Sequence, residues 1–324
     1  AACSGRAKSS RMPEPRPIPD GHGTVATVGT FDGVHRGHWR VLQEVRRHAQ
    51  ASGRRSVLVT FHPHPLRIVR PEHAPPLLTT PEEKKEVLAE SGIDYAAFVP
   101  FTEELSRYPP RRFVEEYLIG RFAMRHLVIG YDHGFGRGRS GDVDTLRRIG
   151  QELDFRVDVV APVDGGDGPV SSSAIRRALL EGDVVLAATG LGRPYALRGV
   201  VVRGDGRGRG LGFPTANIRP DHEDKLLPLE GVYAARGVLR TRVVDGVLHL
   251  GPRPTFGGSL PTIELHLFDF DEDIYGAPIR VDFCRRIRPI HPFATAEELV
   301  AAIREDCAAA RMILEVGCAR GPAR

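Results

Sequence analysis

The chain has 324 residues, 41% of them hydrophobic and 27% charged, with a formal net charge of +4 at pH 7. That length supports two domains with separate cores, and no apolar run approaches the roughly 20 residues that span a bilayer. The basic residues are scattered arginines without interleaved aromatics, so neither a membrane nor a nucleic acid is an expected partner.

Residues 1–20 carry Pro and Arg with little apolar material and are expected to be a disordered tail. No signal-peptide core is present there, which points to a cytoplasmic protein. Residues 21–190 then alternate strand and helix patterns. Strands are predicted over 25–30, 56–61, 95–101, 126–130 and 156–161. Helices are predicted over 39–49, 109–122 and 143–153. Leu42, Val45 and Ala49 share one face of the first. Thr80-Pro81-Glu82-Glu83 reads as an N-cap, a Pro at the first helical position and acids in the first turn. Such alternation predicts a parallel α/β sheet, which binds ligands beyond the carboxyl ends of its strands.

A helix follows Ser171-Ser172-Ser173 through Leu180, with a short one over 184–188. From about Tyr195 the texture changes to short β-rich runs at 197–202, 231–239, 243–250, 262–270 and 278–283, separated by Gly and Pro. Residues 191–316 are therefore expected to form an antiparallel β-barrel or sandwich. A C-terminal helix over 295–314 would start at Thr295 with Glu298 completing a capping box, before a tail at 317–324. Cys3, Cys284, Cys307 and Cys318 show no zinc spacing and are expected to be free thiols in a reducing compartment, with Cys284 in a strand core.

Two stretches carry chemistry. Residues 29–38 read GTFDGVHRGH, between a strand and a helix start. Helix-start N–H groups attract anions, and His35 and His38 add donors where charge develops on a phosphate. Residues 203–217 read RGDGRGRGLGFPTAN. Alternate glycines make a mobile, N–H-rich backbone suited to phosphates, and taken alone this run also suits RNA. The Thr215 hydroxyl and Asn217 carboxamide are hard oxygen donors of the kind Mg²⁺ prefers. A P-loop is excluded, because none of the four lysines (Lys8, Lys84, Lys85, Lys225) sits in that motif.

The HRGH element resembles the HxGH motif of nucleotidyltransferases, and the whole string is similar to the opening motif of the prokaryotic bifunctional riboflavin kinase/FMN adenylyltransferases, or FAD synthetases. Further motifs follow in family order: VTFHPHP at 59–65, VIGYDHGFG at 128–136, SSSAIR at 171–176, PTAN at 214–217 and TIELHLFDF at 262–270. His133 and Ser173 stand where the family usually has Phe and Thr. The resemblance implies a Rossmann-like nucleotidyltransferase domain followed by a riboflavin kinase barrel. ATP would phosphorylate riboflavin to FMN with release of ADP, and a second ATP would convert FMN to FAD and pyrophosphate. It implies catalytic roles for Glu264, His35, His38 and Arg176. It implies ATP or phosphate contacts at Gly29, Phe31, Gly37, Ser171, Ser172, Ser173, Gly208, Arg209, Gly212, Thr215 and Asn217. Flavin contacts are implied at His62, His64, Asp132 and Phe135, and Mg²⁺ or another divalent cation at Thr215 and Asn217. Asp32 orients a loop N–H or assists a metal. The alternatives are a nucleotidyltransferase with another acceptor and a non-enzymatic RNA- or flavin-binding protein; oligomeric state is left open.

Overall fold

The computed structural model describes residues 22–318, apart from 133, 135, 137–140, 167, 205, 241 and 252–261 and the side chains at 207 and 209. The expected tail at 1–20, Phe135, His133 and the Arg209 side chain thus lie outside the described residues.

The elements in chain order begin with β1 (Thr24–Val28), α1 (Arg36–Ser52), β2 (Arg55–His62), α2 (Pro65–Val69), α3 (Pro81–Ala89), β3 (Tyr95–Pro100) and α4 (Glu103–Ser106). Next come α5 (Pro110–Phe113), β4 (Met124–Gly130), α6 (Val143–Leu153), β5 (Arg156–Val160), α7 (Ser172–Leu180) and α8 (Val184–Leu191). The last are β6 (Tyr195–Val202), α9 (Arg207–Gly210), β7 (Ala216–Pro220), β8 (Gly231–Leu239), β9 (Arg242–Gly251), β10 (Thr262–Leu267), β11 (Pro278–Arg288) and α10 (Ala296–Val316).

Two compact units result, and neither is one continuous stretch. The first takes the described residues up to Phe31 together with Arg40–Pro75 and Leu88–Ala161. The second takes Asp32–Trp39, Pro76–Val87 and the chain from Pro162 onward. The change near residue 190 is where strands turn from parallel to antiparallel, while the two units interleave upstream of it.

The first unit is a parallel sheet in the order β3-β2-β1-β4-β5. Its strands read as continuous apolar runs because both faces are covered; all five residues of β1 are buried. Ala26, Val57, Val59, Leu127 and Ile129 belong to a core that also takes in Phe113, Leu118 and Leu146. The helix expected over 109–122 is shorter and changes character: α5 passes into a π-helical stretch, Val114–Ile119, where the Gly120 N–H reaches back five residues to the Glu115 carbonyl at 2.9 Å.

The second unit centres on a closed antiparallel barrel in the order β10-β7-β6-β11-β8-β9. Alternation along β10 buries Ile263, Leu265 and Leu267 inside and turns Glu264 outward. Strand β7 was not legible as a strand, since its five residues include only one buried apolar side chain, Ile218. Pairing with β6 and β10 holds it in the barrel. Helix α10 begins where expected: the Thr295 hydroxyl accepts from the Glu298 N–H at 3.2 Å. The Glu298 carboxylate reaches one residue further back than a standard capping box, to the Ala294 N–H at 3.0 Å.

The free-thiol expectation is corrected for two cysteines. Cys284 and Cys318 are joined as a disulfide with Cα atoms 4.7 Å apart, while Cys307 is free. Helix α10 lies back over the barrel, burying Ala310 and Leu314 with Cys284 and Cys318, a juxtaposition that sequence spacing does not reveal.

Candidate functional site

In the second unit, residues 32–35 form a tight loop that leads into the first turn of α1. Gly33 sits at φ +80°, and a Cβ there would approach Leu78 to 2.8 Å, so only glycine fits. Val34 is held at φ 41°, a left-handed conformation that a β-branched residue rarely adopts. Three bonds fix this shape. The Gly33 N–H donates to the Thr79 hydroxyl at 3.0 Å. Arg193 donates to the Gly33 and Val34 carbonyls at 2.7 and 3.1 Å. Arg193 was not singled out in the sequence, where it is one arginine among many.

The loop sets His35 and His38 ring on ring, centroids 3.7 Å apart, on either side of Gly37. His35 Nδ1 accepts from the His38 N–H at 3.4 Å, so a neutral His35 ring carries its proton on Nε2 and is a donor there. Burial pushes the His35 imidazole down to about 4; Asp32 opposes this, and Arg193 and Arg176 reinforce it. His38 is also lowered, first by burial and then by His35, Lys84 and Arg193.

Asp32 orients loop N–H groups, one of its two expected roles. Its carboxylate accepts from the Leu78 and Thr79 N–H groups at 3.0 Å each and from Arg176 Nη2 at 2.5 Å. Burial raises the Asp32 carboxyl, but Arg176, Lys84 and these N–H groups outweigh it and hold the group below the usual range. Arg176 also donates to the Pro76 carbonyl at 2.9 Å. The three serines divide: Ser171 caps α7 by accepting from the Ala174 N–H at 3.2 Å, Ser172 donates to the Asp32 carbonyl at 2.9 Å, and Ser173 is exposed. His35, Gly37, His38, Ser171–Ser173 and Arg176 therefore gather in one unit, with buried Lys84 close enough to act on Asp32 and His38.

Other candidates lie in the first unit, at the carboxyl ends of its strands. Gly29 follows β1 and donates to the Val59 carbonyl at 3.0 Å. Phe31 is 3% exposed with φ 47°. His62 ends β2 ahead of a cis peptide to Pro63, and His64 caps α2 by accepting from the Leu66 N–H at 3.2 Å. Asp132 follows β4 and is exposed.

On the barrel, Asn217 of β7, Glu264 of β10 and His249 of β9 are successive cross-strand partners and so share a face. The Thr215 hydroxyl donates to Glu264 Oε2 at 3.1 Å. The glycine loop folds toward this row: the Leu211 and Phe213 N–H groups donate to the Gly208 carbonyl at 3.1 and 2.8 Å, and a Cβ on Gly208 would collide with the Phe213 carbonyl. Gly212 has φ +85°. His266 Nδ1 donates to the Pro214 carbonyl at 2.8 Å, anchoring the residue before Thr215. His266 lies two residues from Glu264 on β10, a spacing that could have pointed to it, whereas His249 joins the row only through the pairing of β9 with β10. Thr215, Asn217 and Glu264 together offer a hydroxyl, a carboxamide and a carboxylate, a donor set that fits Mg²⁺.

Comparison with known proteins agrees with this two-part arrangement. A family model described as FAD synthetase matches residues 18–174, and one described as riboflavin kinase matches residues 191–314. The chain is 36% identical over 289 residues to the bifunctional riboflavin kinase/FMN adenylyltransferase of Bacillus subtilis, covering 87% of this chain and 90% of the relative. It is 37% identical over 290 residues to the Escherichia coli K12 protein of the same name, covering 89% and 92%. A crystal structure titled as a macrolide-efflux protein from Streptococcus pneumoniae superposes with a TM-score of 0.83 at 29% identity, covering 91% of this chain and 95% of that one. Among the described residues of this chain, no helix is long and apolar enough to cross a membrane.

Proposed function

Since the chain belongs to the family of bifunctional riboflavin kinase/FMN adenylyltransferases, we propose that its two sites divide the synthesis of FAD between them. ATP phosphorylates riboflavin to FMN at the barrel. The loop and helix N-terminus around His35, His38 and Ser171–Ser173 serve the second reaction, in which FMN is adenylylated and pyrophosphate leaves.

Adenylyl transfer starts from a nucleophile that is already an anion, the FMN phosphate, and needs no general base. It needs alignment and charge stabilisation at the α-phosphorus. His35 enters as a neutral donor through Nε2–H, in a water-poor setting where a hydrogen bond to developing charge is strongest. Ser173 and the N–H groups opening α7 face the β- and γ-phosphates. Arg176 has five donors, of which Asp32 and the Pro76 carbonyl take two, and it supplies positive charge beside them. Gly37 contributes close backbone approach to the nucleotide within the second unit; in the first unit, Gly29 and Phe31 are the nucleotide candidates and His62, His64 and Asp132 the flavin candidates.

Kinase chemistry does call for a base, because the riboflavin 5′-hydroxyl is neutral. Glu264 takes that proton as the hydroxyl oxygen attacks the γ-phosphorus and ADP departs. The bond from Thr215 turns one carboxylate oxygen of Glu264 and leaves its basicity on the outer face of the barrel. Thr215 and Asn217 would hold a divalent cation that neutralises phosphate charge, and Gly208 and Gly212 let the loop backbone close on the phosphates. A nucleotidyltransferase with another acceptor leaves Thr215, Asn217 and Glu264 without a task.

The observation that carries this reading is the presence of both family matches in one chain, in register with two separate clusters of chemistry. Chromatography of products from purified protein with riboflavin, ATP and Mg²⁺ tests it. FMN followed by FAD is expected; folded protein yielding no phosphorylated flavin contradicts it.

A further inference from the structure

Away from both sites, the first unit brings together two imidazoles and a carboxylate. His48 lies in the last turns of α1, His126 in β4 and Asp158 in the adjacent strand β5. Strand β4 pairs with β5 so that His126 and Asp158 fall two residues apart on the same face. His126 Nε2 is 2.9 Å and His48 Nε2 3.0 Å from one oxygen, Asp158 Oδ2. The rings meet edge to face with centroids 4.4 Å apart, and the candidate ligand atoms all lie within 4.8 Å of one another.

We propose that His48, His126 and Asp158 form a binding site for a zinc-class divalent cation that pins α1 to the sheet. Two imidazole nitrogens and one carboxylate oxygen suit zinc, whereas magnesium and calcium favour oxygen ligands. Ligand atoms around a tetrahedral zinc stand about 3.4 Å apart, given zinc–ligand distances near 2.1 Å. The observed spacings bracket that value, so rotation of partly exposed His48 and Asp158 closes the site without moving the backbone. His126 is 4% exposed and supplies the fixed ligand. The Asp158 side chain is 41% exposed, which leaves an entry path and a water for the fourth position.

Without a metal, the His126 Nε2–H donates to Asp158 Oδ2, while His48 Nε2 accepts from Arg47. Each imidazole binds the cation through Nε2 in its neutral form, with its ring proton on Nδ1. Arg47 opposes uptake, with Nη2 2.8 Å from His48 Nε2, but it is 61% exposed, is also paired with Glu44 and can swing away. His126 lies in the amino-terminal half of β4 and Asp158 at the middle of β5. Gly29, His62 and Asp132 lie at the opposite, carboxyl ends of the strands, so the bound ion is structural within this unit.

The test uses full-length chain without an affinity tag, stripped with EDTA and then equilibrated with micromolar zinc chloride. Zinc per chain is measured after desalting, alongside thermal unfolding with and without zinc. Wild type is expected to hold one equivalent more than His48→Ala and Asp158→Asn, with affinity weakened by about 100-fold in each variant. Its melting temperature should rise with zinc while theirs should not. His48 is half-buried on α1 and outside the sheet core, so its replacement leaves that core intact, and circular dichroism verifies this. Equal zinc content and equal thermal shifts in wild type and both folded variants overturn the proposal.

Discussion

Burial in the Gly33–His38 loop lowers the His35 imidazole from an ordinary 6.5 to about 4, so the folded protein holds this ring neutral while the unfolded chain protonates it. The unfolded state therefore binds more protons between those values, and stability is lost as pH falls from 6.5 toward 4. The difference of 2.5 pH units corresponds to about 3 kcal/mol at most. Urea unfolding at pH 7.5 and pH 5 measures it: His35→Asn should lose less stability on acidification than wild type, and equal losses would show that His35 is not held neutral. Arg193 belongs to the same scale. Its two bonds to the Gly33 and Val34 carbonyls hold a strained turn, so Arg193→Ala should reduce conversion of FMN to FAD by roughly 10²-fold, the order that loosened positioning costs. Kinase rates measured on the same sample should stay near wild type. The histidines were legible because two of them flank a glycine after a strand. Arg193 was not, because a residue that grips carbonyls from 159 positions away carries no local signature.

Helix α3 shows how an element legible from its own residues gains a role that is not. Thr80 and Glu83 exchange bonds in a capping box, the Thr80 N–H donating to Glu83 Oε2 at 2.9 Å and the Glu83 N–H to the Thr80 hydroxyl at 3.2 Å. Those residues are three positions apart and the signal is local. Yet Glu83 is buried, and its carboxylate also receives Lys225 Nζ at 2.6 Å. Lys225 donates further to the Leu78 carbonyl at 2.7 Å and lies 4.4 Å from the centre of the Tyr195 ring. Removing one member of a buried pair strands the other. Lys225→Met should therefore destabilise the protein by about 3–5 kcal/mol, while the apolar double replacement Lys225→Met/Glu83→Leu should recover part of that loss. Denaturant midpoints for the three proteins decide this; a single variant as stable as wild type would show that the pair contributes nothing. Strand β7 and the Cys284–Cys318 link were illegible for a related reason, since each depends on partners that only the closed barrel brings near.

Across the whole molecule, the sequence's change of texture near residue 190 marks a real change of strand arrangement, and both parts of the fold class follow from it. The interleaving was not legible, because residues 32–39 and 76–87 read as ordinary connections within an α/β pattern. For the site, the HxGH and PTAN stretches pointed to both candidate clusters, and the Thr215–Glu264 bond joins two motifs 49 residues apart. The barrel cluster and the His35–His38 cluster share no residue, which makes the two activities separable by substitution. Thr215→Ala/Asn217→Ala supplied in parallel with riboflavin and with FMN, each with ATP and Mg²⁺, is the most direct measurement. The account predicts that FMN formation falls by about 10²-fold or more while FMN is still converted to FAD at the wild-type rate. Equal loss of both conversions in a folded variant would contradict it.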